Sequence, residues 1–352
     1  MNGASSGEKR VSDLGEKAII ETILRPLFNP ENEANSVGDD CAALSIPEGC
    51  FALISTDRVP ADLISFRTGA IGPRGLGRYL AVLNLSDIAA CGGRPLGLLF
   101  NCGLPGSLPL DDLVEISHGL AEVTAGCGAK VVGGDVTSSI ELSLSATVIG
   151  YVDPNQMLRR RGARAGDSVF VTRAVGLTPL ALDVCLNPGA YEWLPVPDRD
   201  RLLDQFRAPS AELDLGRALA ASGLCTAAMD NTDGIGQSLI ELARESRCGM
   251  IIREDWLPTI GVVVEAARRS GKGIGPYAMR AGADFCLVGT LAGRWTTDQA
   301  RSDFGQGMTV IGEVVEGSGV SLETESGTIA VEPTGWNYLS KDPLAADVRT
   351  MD

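Results

Sequence analysis

An α+β fold in two domains is the architecture this 352-residue chain predicts, and three observations predict it. Strand-like apolar runs and helix-period stretches follow one another in mixed order, which points away from a doubly wound sheet. The pattern breaks around Asp153-Pro154 and restarts with a basic turn, and a chain of this length divides into about two domains. Apolar residues make up 44% of the sequence, enough to fill a core in each.

Each element has its own reason. Residues 1–14 are polar and read as a flexible tail. Gly15 to Leu27 follows as a short helix with Ala18, Ile19, Ile23 and Leu27 on one face. Two strand-like runs, Ala42 to Ile46 and Phe51 to Ser55, flank the turn Pro47-Glu48-Gly49. A long helix is expected over Gly75 to Cys91, with Leu76, Leu80, Leu83 and Ile88 aligned, and the glycine stop Gly92-Gly93 ends it. Leu96 to Cys102 reads as a strand, Asp111 to Ala125 as a helix, Lys130 to Val132 as the end of a strand, and Leu142 to Val152 as a last strand. These fill a first domain over 15–152.

The second domain, 153–340, opens on Arg159-Arg160-Arg161-Gly162 and the strand Ser168 to Thr172. The Pro- and aromatic-rich segment Gly189 to Asp200 reads as an irregular loop. Helices over Ala211 to Ser222 and Gly236 to Ser246 flank an aspartate turn, and Phe285 to Leu291 and Val310 to Val315 complete a sheet. Residues 341–352 form a tail.

Composition removes several function classes. A formal net charge of -15 disfavours nucleic acid and anionic membrane surfaces as partners. The nine cysteines stand singly, with no Cys-x-x-Cys pair, which suits reduced thiols better than zinc or disulfides. No apolar run reaches membrane length and the first residues lack a signal core, so a cytoplasmic protein is expected. The single histidine, His118, falls off the apolar face of its helix, which leaves no supply for histidine-based triads or metal sites. A P-loop is missing, since Gly271-Lys272 is followed by Gly273, and Gly72, Gly75 and Gly77 have the wrong order for a dinucleotide fingerprint.

What remains is a repeated acid. Gly38-Asp39-Asp40, Ser55-Thr56-Asp57, Asn84-Leu85-Ser86-Asp87, Gly133-Gly134-Asp135 and Asp230-Asn231-Thr232-Asp233-Gly234 each set aspartate beside glycine or after an apolar run. One such segment alone is ordinary turn chemistry. Five of them, several at the expected ends of strands, read as a site for hard cations that in turn hold phosphate, which is a magnesium-dependent phosphoryl-transfer site.

In that order, together with Arg160-x-Gly162-Ala163-x-x-Gly166-Asp167, the motifs resemble thiamine-monophosphate kinase, over about Gly15 to Tyr338. That family sits in a superfamily with aminoimidazole ribonucleotide synthetase, selenophosphate synthetase and the hydrogenase maturation dehydratase. The resemblance implies a homodimer paired through its N-terminal sheets, with residues 15–152 binding ATP and magnesium and ATP lying between the two domains. It implies magnesium ligands at Asp40, Ser55, Thr56, Asp57, Asp87, Asp135, Asp230 and Asp233. ATP contacts are implied at Gly134, Asp135, Arg160 and Thr232, with Asp57, Asp135, Asp233 and Arg160 as the catalytic set. The implied reaction transfers the γ-phosphoryl group of ATP to thiamine monophosphate, in thiamine diphosphate biosynthesis.

The substrate side departs from the family pattern. Leu63-Ile64-Ser65-Phe66 replaces a Gly-x-His-Phe element, with Ser65 nearest the histidine. Gly282-Ala283-Asp284-Phe285-Cys286-Leu287 replaces Gly-Glu-Asp-Tyr-Glu-Leu, so Ala283 stands where the family has a substrate-contacting glutamate. Ser238 takes the place of a further acid, and Trp336 keeps an aromatic face near the C-terminus, as a ligand platform or as core. Thiamine is cationic, so losing the glutamate opens the reading of an altered small-molecule acceptor. Two alternatives keep the fold: a synthetase-type enzyme that phosphorylates an amide-like oxygen, and a nucleotide-binding paralogue without turnover.

Overall fold

Two sheets carry the chain, and the computed structural model describes residues 10, 14, 19–28, 46–280 and 282–333 of it. The chain clusters into two compact units. One is Met1–Ile88, Arg94–Val152 and Phe206–Pro209; the other is Ala89–Gly93, Asp153–Gln205 and Ser210–Asp352.

In the first unit a π turn at Ile20–Leu24 leads into α1 (Arg25–Phe28). The rest of the helix expected from Gly15, and the strand-like run before Ile46, lie outside the described residues. The chain continues through β1 (Phe51–Arg58), α2 (Ile64–Arg67), α3 (Pro73–Ala90), β2 (Arg94–Leu104), α4 (Leu110–Gly126), β3 (Lys130–Ser138) and β4 (Ser143–Val152). Pro73 opens α3, where a missing N–H costs nothing, and Gly92 follows its end with φ +69°.

The four strands form a sheet in the order β1-β4-β2-β3, antiparallel except between β2 and β3. Alternation sorts its faces. Leu53, Leu98, Phe100, Cys102, Ala146 and Val148 are buried on the inner one, with Phe28 edge-on to Phe100 at 6.2 Å. α3 and α4 meet backbone to backbone: a Cβ on Gly77 would stand 1.9 Å from the Ile116 oxygen, and one on Gly119 2.0 Å from that of Arg74. A side chain at either position would wedge the helices apart.

The second unit runs through β5 (Ser168–Val171), α5 (Leu177–Leu186), a 3-10 turn (Pro188–Tyr191), α6 (Val196–Arg207), α7 (Leu213–Ser222), β6 (Cys225–Asp230), α8 (Ile235–Ser246) and β7 (Gly249–Arg253). It continues with α9 (Gly261–Ser270), α10 (Ile274–Ala278), β8 (Leu287–Leu291), α11 (Thr297–Phe304), β9 (Thr309–Val315), β10 (Gly319–Thr324) and β11 (Gly327–Ala330). Its seven-stranded sheet is ordered β11-β10-β7-β9-β5-β8-β6, with β10 and β7 parallel and the other pairs antiparallel. Val169, Val171, Leu239, Ile252, Val288 and Ile311 lie in its core.

Two local expectations need correction. The segment Gly189 to Asp200 is not wholly irregular, because α6 begins at Val196. Its prolines fall before and within the first turn, where no intrahelical N–H bond is lost, and Asp198 there complements the helix dipole. The strand expected to end at Val132 instead runs to Ser138, so Gly133-Gly134-Asp135 lies inside β3, paired throughout with β2. Backbone pairing overrides the turn preference of the triplet.

Candidate active site

Ser55 and Asp57 are two residues apart on β1, so both side chains face the inner side of the sheet, toward α3. There the Ser55 hydroxyl donates to Asp87 Oδ2 at 2.5 Å, and the Asp57 N–H donates to Asn84 Oδ1 at 3.2 Å. Asn84 and Asp87 are three residues apart, one turn of the same helix face. Asn84 is fully buried, and its Nδ2 donates to the Leu80 carbonyl at 2.9 Å, which fixes the amide. Asn84 stands in the acid motif read from the sequence but was given no role there; its signal was an amide one helical turn before Asp87. Thr56 points to the opposite face, where it bonds the Ala146 carbonyl and takes a hydrogen bond from Thr147.

Asp135 is exposed on β3 and stands in register with Asn101, whose side chain alternates with the buried Phe100 and Cys102. It therefore belongs to the outer face. Asp57 and Asp135 occupy opposite edges and opposite faces of one sheet, separated by three strand spacings, about 14 Å. They do not converge within one chain. Beside Asp135, a Cβ on Gly134 would lie 1.7 Å from the Phe100 oxygen, so only glycine lets β2 and β3 approach here. Gly134→Ala is expected to cost about 3 kcal/mol or more of stability, read as a lower urea midpoint. An unchanged midpoint would show that β3 can shift freely.

In the second unit, Asp230 ends β6 at 3% exposure, and half-buried Thr232 and Asp233 follow in the turn before α8. Burial and the neighbouring Asp230 charge both hold the Asp233 carboxyl above the usual range, while Arg160 pulls it the other way. Arg160 is exposed, on a turn anchored at both ends. The Ala228 N–H donates to the Arg159 carbonyl at 2.9 Å, and the Ser246 hydroxyl donates to that of Arg160 at 3.3 Å. Asp167, from the same arginine motif, is structural: its carboxylate accepts from Arg164 N, Thr226 Oγ1 and Gly293 N.

On the acceptor side, Ser65 is 2% exposed in α2. Its neighbours Leu63, Phe66 and Arg67 line a cavity of about 290 Å³ with Val59, Leu76 and Leu144. Ala283 is half-buried, and Ser238 is buried, donating to Asn231 Oδ1 at 3.1 Å. Asp40 and Trp336 lie outside the described residues.

The eight-residue ligand set is thus not a single cluster among the described residues, where no group of three or more His, Cys, Asp or Glu is gathered to hold a metal ion. The donors are nonetheless all hard oxygens, and magnesium keeps several waters and takes one or two carboxylates together with substrate phosphates rather than an all-protein cage. The residues fit a cation that shares its coordination with a phosphate.

Comparison with known proteins gives a consistent result. Residues 38–152 match the family described as AIR synthase related protein, N-terminal domain. The thiamine-monophosphate kinase of Synechococcus elongatus is 31% identical over 333 residues, 91% of this chain and 95% of the relative. The solved structure of thiamine-monophosphate kinase from Stenotrophomonas maltophilia superposes with a TM-score of 0.74 at 26% identity, covering 89% of this chain and 98% of that one. That of AaThiL complexed with AMPPCP and TMP gives 0.71 at 26% identity, covering 95% and 100%.

Proposed function

The chain belongs to the thiamine-monophosphate kinase family, and on that premise we propose that it carries the γ-phosphoryl group of ATP to thiamine monophosphate, forming thiamine diphosphate and ADP. The chemistry is that of an ATP-dependent phosphotransferase acting on a small molecule.

Joining two phosphates brings two anions into contact, so the protein's task is to orient them in line and offset their charge. Within the first unit Asp57 and Asp87, on the inner side with Ser55, would hold magnesium, and within the second unit Asp230 and Asp233 would; Asp40 stays a candidate ligand, whereas Thr56 and Asp135 face the other side of the sheet and join no shell with Asp57. The bound ion supplies the charge compensation for the approach of donor and acceptor. Ser55, donating to Asp87, orients that carboxylate, and the amide of Asn84 fixes the β1 backbone at Asp57. Arg160 offers a fixed positive charge to phosphate oxygens, and Gly134, Asp135 and Thr232 are the other ATP contacts. The observation that carries this reading is the 31% identity to a thiamine-monophosphate kinase along 91% of this chain and 95% of that one; at Asp233, burial and the Asp230 charge disfavour the ionised carboxyl, a tension that a cation would relieve.

The same proposal includes a homodimer. The outer face of the four-stranded sheet presents Ile54, 70% exposed, beside its cross-strand partner Ile149 and the half-buried Leu99, an apolar strip suited to a second sheet. Among the described residues no helix is long and apolar enough to cross a membrane, and a cytoplasmic location belongs to the proposal.

Phosphorus NMR of the protein with magnesium, ATP and thiamine monophosphate, beside a sample with ATP alone, tests it. Thiamine diphosphate accumulating in step with ADP is expected. Magnesium-dependent nucleotide binding without diphosphate would replace the acceptor and keep the phosphotransferase. Ala283→Glu is expected to lower the KM for thiamine monophosphate about fivefold, the worth of roughly 1 kcal/mol in a part-buried ion pair. An unchanged KM would separate position 283 from the acceptor.

A further inference from the structure

The turn that carries Asp230 and Asp233 is tied down at its middle. Asn231 is 1% exposed and every hydrogen-bonding atom of its side chain is used. Its Nδ2 donates to Asp284 Oδ1 at 2.9 Å and to the Gly282 carbonyl at 3.3 Å, and its Oδ1 accepts from Ser238 at 3.1 Å. Only one orientation of the amide works, because the reverse would set its oxygen against a carboxylate and a carbonyl. The backbone repeats the tie. Asn231 N–H donates to the Cys286 carbonyl at 2.9 Å, and Phe285 N–H donates to the Asn231 carbonyl at 3.0 Å.

Asp284 is itself held, at one carboxylate oxygen and at its backbone carbonyl. It is 7% exposed, its Oδ1 also accepts from Cys286 N at 3.2 Å, and Arg173 Nη1 donates to its carbonyl at 2.9 Å. The next residue, Phe285, sits at φ +54°, a left-handed conformation that an aromatic residue adopts only when its surroundings impose it. A rigid, strained turn therefore grips the residue between two acids whose charges repel.

We propose that Asn231 and Asp284 are positioning residues, and that their buried amide–carboxylate pair sets the placement of the Asp230 and Asp233 carboxylates for phosphoryl transfer. The inference rests on those two acids being cation ligands, as argued above. A hydrophobic residue at 231 would fill the space, but it would let the acids splay.

Exchange of the partners tests it. Asn231→Asp sets two carboxylates face to face, Asp284→Asn sets two amides, and the double variant restores a donor facing an acceptor with the roles reversed. The readouts are the thermal midpoint and the magnesium concentration that half-saturates binding of a non-hydrolysable ATP analogue, measured by calorimetry. Each single variant is expected to raise that concentration about tenfold, the usual effect of removing a group that orients a ligand, and the double variant to recover most of it. Ser238→Ala removes one hydrogen bond to the same amide and gives a smaller shift in a fold with fewer demands on it. Single variants that lower the midpoint but leave the magnesium dependence untouched would overturn the proposal, leaving a structural tie. Recovery of the midpoint without the magnesium dependence would overturn it too. Absence of magnesium-dependent binding in the unaltered protein would instead remove the assignment of the acids, and the first titration reads it.

Discussion

Asp233→Asn is expected to cut turnover by about 100-fold or more while raising the thermal midpoint of the ligand-free protein. The two effects share one cause. Burial and the Asp230 charge disfavour the ionised Asp233 carboxyl, so the acid is held at a cost to stability. An acid whose folded pKa stands above its unfolded value binds more protons in the fold. Stability is then lost as pH rises from the ordinary carboxylate range through the raised value. The isosteric amide carries no charge and removes that loss. The midpoint gap between variant and parent should therefore narrow as pH falls toward the carboxylate range. Turnover by ADP release and midpoints at neutral and acid pH, both without added metal in the stability series, check the pair of effects. Near-normal turnover would take Asp233 out of the machinery, and a lower midpoint would contradict the electrostatic account.

Asp183→Ala should destabilise the second unit by about 3–5 kcal/mol, because it strips a bidentate carboxylate from a buried cation. On α5, Asp183 accepts from Arg280 Nη2 at 2.6 Å and Nη1 at 3.2 Å, from Tyr277 at 2.8 Å and from Tyr191 at 3.0 Å. Arg280 is 8% exposed and lies 4.1 Å from the centroid of the Tyr277 ring. Burial, reinforced by the Asp183 charge, pushes the Tyr191 phenol up to about 12 and that of Tyr277 higher still, so both remain donors. Truncation removes the acceptor of four donor groups on three residues. A fall in thermal midpoint of roughly 10 °C follows for a unit of this size. Tyr277→Phe removes one donor and leaves the ion pair, so it should cost only about 1 kcal/mol. Equal losses in the two variants would mean that packing around the rings, and not the ion pair, sets the stability.

The α+β class was legible because the long helices and strands have strong periods. α3 carries leucine at helical spacing, and the expectation of 75–91 differs from Pro73–Ala90 by two residues or fewer at each end. α6 was not legible, because prolines at its start look like a loop until their place in the first turn is known. β7, β10 and the short helices α9 to α11 also escaped, being brief elements whose pattern is weak without their partners.

For the candidate site, the sequence by itself supplied the candidates: acids repeated in a fixed order and an arginine on a glycine turn. It could not decide what each acid faces. Alternation along β1 sends Ser55 and Asp57 to α3 and Thr56 away, and the sheet order puts Asp135 three strands off on the other face. Nor could it show that the Asp57 N–H bonds Asn84 or that Asn231 bonds Asp284, since those hydrogen bonds join residues 27 and 53 positions apart. Local sequence fixes period and residue type, whereas which side chains meet depends on strand pairing and helix docking, and these are set by burial across the whole chain.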